Sequence, residues 1–187
     1  VTNDFGNIPK SYMLRNTNGT FSIADGAYPM GMVTDAVWDD FDGDGLKDLI
    51  VVGEWMSPKF YKNTNGKLVE VSKLNNLNGL WQAIEHFDID NDGDTDYVLG
   101  NWGMNTKFKA SVNYPMLMYY SDFDENGQTE TIVCIAKDDR YYPVSGLDEL
   151  SSQLVFLKKK FNSYQSFAGQ PITAILDQKM IKDAKKL

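Results

Sequence analysis

Residues 88–96 read DIDNDGDTD, five aspartates with an asparagine and a glycine in nine positions. Carboxylates this close repel one another, so the loop costs stability unless something cationic neutralises it. Asp88, Asp90 and Asp92 alternate, Gly93 permits a sharp turn, and Asp96 returns a further acid. That spacing suits a loop wrapping oxygen ligands around a hard cation such as Ca²⁺.

The stretch is not alone. DFDGDGLKD at 40–48 matches it at an offset of 48 residues, and NTNG occurs at 16–19 and 63–66, an offset of 47. From Asn16 to Asp40 is 24 residues, and from Asn63 to Asp88 is 25. Two unrelated motifs recurring in the same order at nearly the same interval define a repeat of about 48 residues. A third acidic loop, DFDENGQTE at 122–130, reads as a degenerate or shortened copy: Asn126 replaces an acid, Glu130 closes it, and no NTNG precedes it.

Each loop is followed by an apolar run of strand length, DLIVVG, DYVLG and ETIVCI, and preceded by another, AVWDD, AIEHF and PMLMYY. Asn-Gly between such runs signals a tight hairpin. The predicted unit is therefore strand, loop, strand, then hairpin: four antiparallel strands, repeated as in propeller blades. From Ser145 the pattern changes. Leu147, Leu150, Leu154, Leu157 and Phe161 are spaced for one apolar helix face, Ser145 with Asp148 suggests a capping box, and a second helix is expected near 177–186. The chain divides into a β-repeat region over 1–140 and a helical segment over 141–187.

The EF-hand also begins D-x-D-x-D-G, but it needs a glutamate at its twelfth position and flanking helices. Here the twelfth positions are Val51, Leu99 and Val133, all in strand-like runs, and the last acid comes at position nine. D-x-D-G-D-G-x-x-D between two strands instead resembles the calcium loops of FG-GAP repeats in integrin α-subunit propellers, and more closely the bacterial VCBS/FG-GAP repeat proteins of cell surfaces. The resemblance rests on DFDGDGLKDLIVVGEW (40–55), DIDNDGDTDYVLGNWG (88–103), more loosely on DFDENGQTETIV, and on the NTNG hairpins, over roughly residues 10–140. It implies side-chain ligands at positions one, three, five and nine and a carbonyl ligand at seven. The first site would use Asp40, Asp42, Asp44 and Asp48 with the carbonyl of Leu46. The second would use Asp88, Asp90, Asp92 and Asp96 with that of Asp94, and the third Asp122, Asp124, Asn126 and Glu130 with that of Gln128. Two calcium sites and a weaker third follow. Propellers of this kind close with about seven blades, more than this length holds, so the chain would be a segment of a longer protein or would bury its open edges with its helices or another copy.

Other chemistry finds little support. A formal net charge of −8 argues against nucleic acid. No apolar run approaches a membrane span, and the start VTNDFG carries no visible signal peptide. Cys134 lies in an apolar run and reads as a buried, inert thiol. His86 has no partners for a triad or a metal site, and no nucleophile elbow, P-loop or dinucleotide fingerprint occurs. No catalytic or organic-cofactor residue is expected. Trp38, Trp55, Trp81 and Trp102 follow the repeat and read as packing, while NWGMNTKF at 101–108 is the best candidate ligand surface. The expected protein is a non-catalytic, calcium-stabilised β-repeat module of a secreted, cell-surface or periplasmic protein, adhesive or structural, meeting a protein or glycan ligand. The alternative is a glycan-binding accessory domain of a larger polysaccharide-processing enzyme.

Overall fold

Both NTNG stretches fold as two-residue hairpins. β1 (Ser11–Thr17) and β2 (Thr20–Tyr28) pair with Thr17 opposite Thr20. Asn18 and Gly19 both take positive φ, +49° and +84°, the mirror-image turn whose twist matches that of its strands. Asn65 and Gly66 repeat it at +53° and +85°. In each case the first asparagine of the motif locks the turn: Asn16 Oδ1 accepts from the Gly19 amide at 2.8 Å, and Asn63 Oδ1 from that of Gly66 at 2.9 Å.

The computed structural model describes residues 8–71, 74, 76–103, 106 and 108–187, in two compact units, one of residues 8–103 and one within 106–187. In the first unit, β3 (Met32–Asp39), β4 (Asp48–Met56), β5 (Lys59–Thr64) and β6 (Lys67–Glu70) run as antiparallel neighbours in chain order. This is the four-strand unit expected from the repeat. β7 (Gly79–Phe87) joins the far end of β4 beyond a bulge at Trp55 and pairs with β8 (Asp96–Asn101). Thr34 and Asp35 tie β3 to β7: the Thr34 hydroxyl donates to the Trp81 carbonyl at 2.8 Å, and Asp35 accepts from the Ile84 amide at 3.0 Å.

β4 is buried on both faces. Leu49 and Val51 enter one cluster with Met30, Met56 and Tyr61; Ile50 and Val52 enter another with Ile84. A strand covered on both sides reads as an unbroken apolar run, which DLIVVG is. Burying one such side chain contributes about 1.5–3 kcal/mol. β8 carries nearly the same text, DYVLG, yet its Val98 is 46% exposed.

The second unit contains β9 (Leu117–Ser121), β10 (Glu130–Lys137) and β11 (Arg140–Pro143), with the hairpin between the last two turning on Asp138 and Asp139, both at positive φ. The helical tail shares its core: Tyr119, Phe123, Ile132 and Cys134 pack with Leu147, Leu150, Leu154, Leu157 and Phe161. The chain thus groups the third loop with the tail, not with the first two repeats.

The helix expected from Ser145 to Phe161 is broken. α1 (Leu147–Gln153) ends at Leu154, and α2 (Leu157–Lys160) is a single turn. All five stripe residues are buried, so the spacing correctly marked a packing face while overstating the helix. The capping box at Ser145 does not form; Gly146 is the N-cap and makes no side-chain cap. A box forms instead at Ser163 and Ser166, opening α3 (Tyr164–Phe167). α4 (Ile172–Ile175) follows, and then α5 (Gln178–Asp183), the second expected helix, capped by Asp177 accepting from the Met180 amide. Its end differs from expectation: Lys185–Lys186 form β12, paired with β9.

Candidate metal centres

Each acidic loop builds itself around its first aspartate. Asp40 accepts from the Asp44 amide at 3.0 Å and the Gly45 amide at 2.8 Å. Asp88 does the same with Asp92 and Gly93 at 3.2 and 3.1 Å, and Asp122 with Asn126 and Gly127, both at 2.9 Å. The side chain at position five then accepts from the amide at position seven: Asp44 from Leu46, Asp92 from Asp94, Asn126 from Gln128. Positions four and six take left-handed φ in all three loops, with Gly43, Asn91 and Glu125 at the former and glycine at the latter. The third loop departs in sequence but shares this frame.

The frame gathers oxygen atoms. Carboxylates of Asp40, Asp42 and Asp48 lie within 4.8 Å of one another, as do those of Asp88, Asp90 and Asp96, and those of Asp122, Asp124 and Glu130. Positions one, three and nine of the expected ligand set therefore converge in every loop. At position five, Asp44, Asp92 and Asn126 each use one side-chain oxygen to accept from the amide of position seven, presented by Leu46, Asp94 and Gln128.

Position nine is anchored to the backbone. Asp48 is fully buried and accepts from the Asn63 amide at 2.7 Å through Oδ1, while its buried Oδ2 has no hydrogen-bond partner. Asp96 accepts from the Ile89 amide at 3.0 Å, and buried Glu130 from the Phe123 amide at 2.9 Å. The Asp124 Oδ1 atom is likewise buried without a partner. An unpaired buried carboxylate oxygen is costly, and a divalent cation bound by oxygen would satisfy it. The acid-only, oxygen-only donor set suits a hard cation of the Ca²⁺, Mg²⁺ or Mn²⁺ kind rather than a metal that favours nitrogen or sulfur.

The loops differ in how their charge is compensated. At the first, Lys62 of β5 pairs with Asp42 and, at 2.9 Å, with Asp44, and its ammonium holds the Asp44 carboxyl below the usual range. The second has no such lysine among the described residues. There Asp94 is pushed up, first by its contact with Asp92 and that neighbour's charge, then by burial, Asp96 and Asp90. In the third, burial raises Glu130, opposed by the Phe123 amide and reinforced by Asp124 and Asp122. Next to the first loop, burial pushes the Asp39 carboxyl up, but hydrogen bonds outweigh it, chiefly from the Tyr97 hydroxyl at 2.6 Å, and hold it low.

Other residues singled out by sequence lie away from these centres. Burial pushes the Cys134 thiol up to about 12, so it is inert. His86 is exposed and stacks on Tyr97 with ring centroids 6.4 Å apart. Trp81 packs against the Ile50 cluster, but Trp38 and Trp102 are 45% and 43% exposed, more than packing residues would be. Part of the proposed ligand surface at 101–108, namely residues 104, 105 and 107, lies outside the described residues. The Lys62 pairing escaped sequence reading, although a lysine just before NTNG was its available signal.

The profile of the FG-GAP-like repeat family matches residues 40–99, from the first loop through β8. No curated protein and no solved structure matches the chain. Residues 40–99 thus carry an FG-GAP-like repeat within a mainly β fold of antiparallel sheets and short helices.

Proposed function

We propose that the protein is a calcium-stabilised, non-catalytic β-repeat module serving an adhesive or structural role outside the cytosol. The observation that carries this reading is Asp48 Oδ2, buried and unpartnered beside Asp40 and Asp42. The ion would hold positions one, three and nine together and pin the loop between two strands. At extracellular calcium of roughly 2 mM and a Kd of about 0.1 mM, each site would add about 1.8 kcal/mol. Two or three such increments are a large part of the ~5–15 kcal/mol that holds a domain together. Cytosolic calcium would leave sites this weak empty, hence the proposed compartment: extracellular, cell-surface or periplasmic.

Thermal melts in chelator, in millimolar Ca²⁺ and in millimolar Mg²⁺ test this. A rise with Ca²⁺ alone is expected. Equal melts in all three, with no calcium in the purified protein by elemental analysis, would remove the assignment. The half-exposed Trp38 and Trp102 favour a second reading, a glycan-binding accessory domain. Glycan-dependent quenching of tryptophan fluorescence in calcium-loaded protein would support it.

A further inference from the structure

The repeat supplies its own template for an incomplete edge. In the first copy, β5 pairs with β4 through Leu49–Tyr61, Ile50–Phe60 and Val51–Lys59. It also places Phe60 edge-on against Phe41 of the acidic loop, at 5.5 Å, and Lys62 on Asp42 and Asp44. In the second copy, β8 corresponds to β4, yet among the described residues it pairs with β7 alone. The edge that β5 covers in the first copy is left open there, although Tyr97 and Leu99 are partly buried on the other face. Val98 stands where Ile50 is fully buried, Ile89 stands where Phe41 packs and is 54% exposed, and Asp90 and Asp92 have no basic partner among the described residues.

The chain also holds a strand with the matching text. β1 is the repeat equivalent of β5: Tyr12, Met13, Leu14, Arg15 and Asn16 correspond to Lys59, Phe60, Tyr61, Lys62 and Asn63. It pairs with β2 alone among the described residues, and it leaves Tyr12 and Leu14 exposed and Arg15 without a carboxylate. A donor strand carrying a cation and an acceptor edge beside an uncompensated acidic loop are complementary in both hydrogen bonding and charge.

We propose that β8 takes β1 of a second copy of this chain, antiparallel, with Tyr97 opposite Leu14, Val98 opposite Met13 and Leu99 opposite Tyr12. Arg15 then reaches Asp90 and Asp92 as Lys62 reaches Asp42 and Asp44, and Met13 covers Ile89 as Phe60 covers Phe41. Donor and acceptor surfaces differ, so association is head-to-tail and closes into rings or grows as open chains. The proposal rests on the β-repeat reading and not on the bound ion.

The test is therefore run in chelator, where failure leaves the calcium assignment standing. Sedimentation of the wild-type chain is expected to show mass rising with concentration, and Arg15→Glu is expected to weaken association roughly tenfold or more. Arg15 is exposed and makes no ion pair among the described residues, so this variant is expected to fold. Register is read separately by mixing Met13→Cys protein with Val98→Cys protein under mild oxidation. Directly opposed residues in a sheet fall within disulfide reach, so the mixture should form a linked pair faster than either variant alone. Three results would overturn the proposal: a wild-type monomer up to about 1 mM, association indifferent to Arg15→Glu, or a mixture that cross-links no faster than its parts.

Discussion

Asp48 grips the Asn63 backbone with one oxygen, at 2.7 Å, and holds the other buried and unsatisfied. The residue that closes the first acidic loop is thereby the residue that fixes the start of the second Asn-Gly hairpin. The loop and hairpin motifs of the repeat are coupled through a single carboxylate. Asp48→Asn keeps an acceptor for Asn63 but removes the charge and buries an amide NH₂. The expected outcome is loss of about one site's share, ~1.8 kcal/mol, of the calcium-dependent stabilisation, read as a smaller calcium-induced rise in Tm.

Lys62 stands on two carboxylates of the same loop. A divalent ion entering there meets a resident positive charge, so removing the charge should favour the ion. Lys62→Gln is expected to tighten calcium binding at the first loop by several-fold to about tenfold, from Coulomb's law in a high-dielectric setting. It should also lower stability in chelator, because the carboxylates then lack any counter-charge. Calorimetric titration and melts in chelator check both signs.

Gly53 of β4 and Gly100 of β8 each open a Gly-x-Trp stretch, but only one is crowded. A methyl at Gly53 would meet the Met32 carbonyl oxygen at 2.1 Å, while one at Gly100 would meet nothing closer than 3.8 Å. Gly53→Ala is expected to cost about 1–3 kcal/mol, as backbone must shift, and Gly100→Ala should change stability little. Denaturant midpoints of the two variants give the comparison.

Glu130 sits in a buried position that raises its carboxyl above the ordinary value. A raised folded-state pKa favours the protonated form, so its contribution is fully present below the unfolded pKa and is lost as pH rises through the folded one. Asp39 and Asp44 act oppositely: being held low, they stabilise above the ordinary carboxylate range and cease to do so as pH falls through their folded values. In chelator, Glu130→Gln is therefore expected to stabilise the protein at neutral pH, with the advantage shrinking as acid protonates the wild-type glutamate. Melting curves across that range, on both proteins, decide it.

The acidic loops and Asn-Gly hairpins were legible because their side chains are dictated locally. Asp40, Asp88 and Asp122 each cap their own loop's amides, and the turn asparagines tolerate positive φ. What was not legible depended on neighbours distant in sequence. β4 and β8 read alike, and only the strands placed around them make one a buried centre and the other an edge. In the tail, a stripe spaced for helix was satisfied equally by short turns around one core, so periodicity located the buried residues without fixing the backbone between them. Position five of each loop also serves its own backbone, one side-chain oxygen accepting from the amide of position seven, a local bond that the ligand spacing alone did not reveal.

β4 has a further consequence. Because alternate residues of this one strand belong to two different clusters, neither cluster can lose its order while the other keeps it without tearing a shared backbone. The amides of Leu49 to Val52 should consequently be the last in their unit to exchange with deuterium, and to do so together, at the free energy of complete opening. The strand acts as a common spine: a local opening can begin at β1, β6 or β8, but once it reaches β4 the whole unit goes.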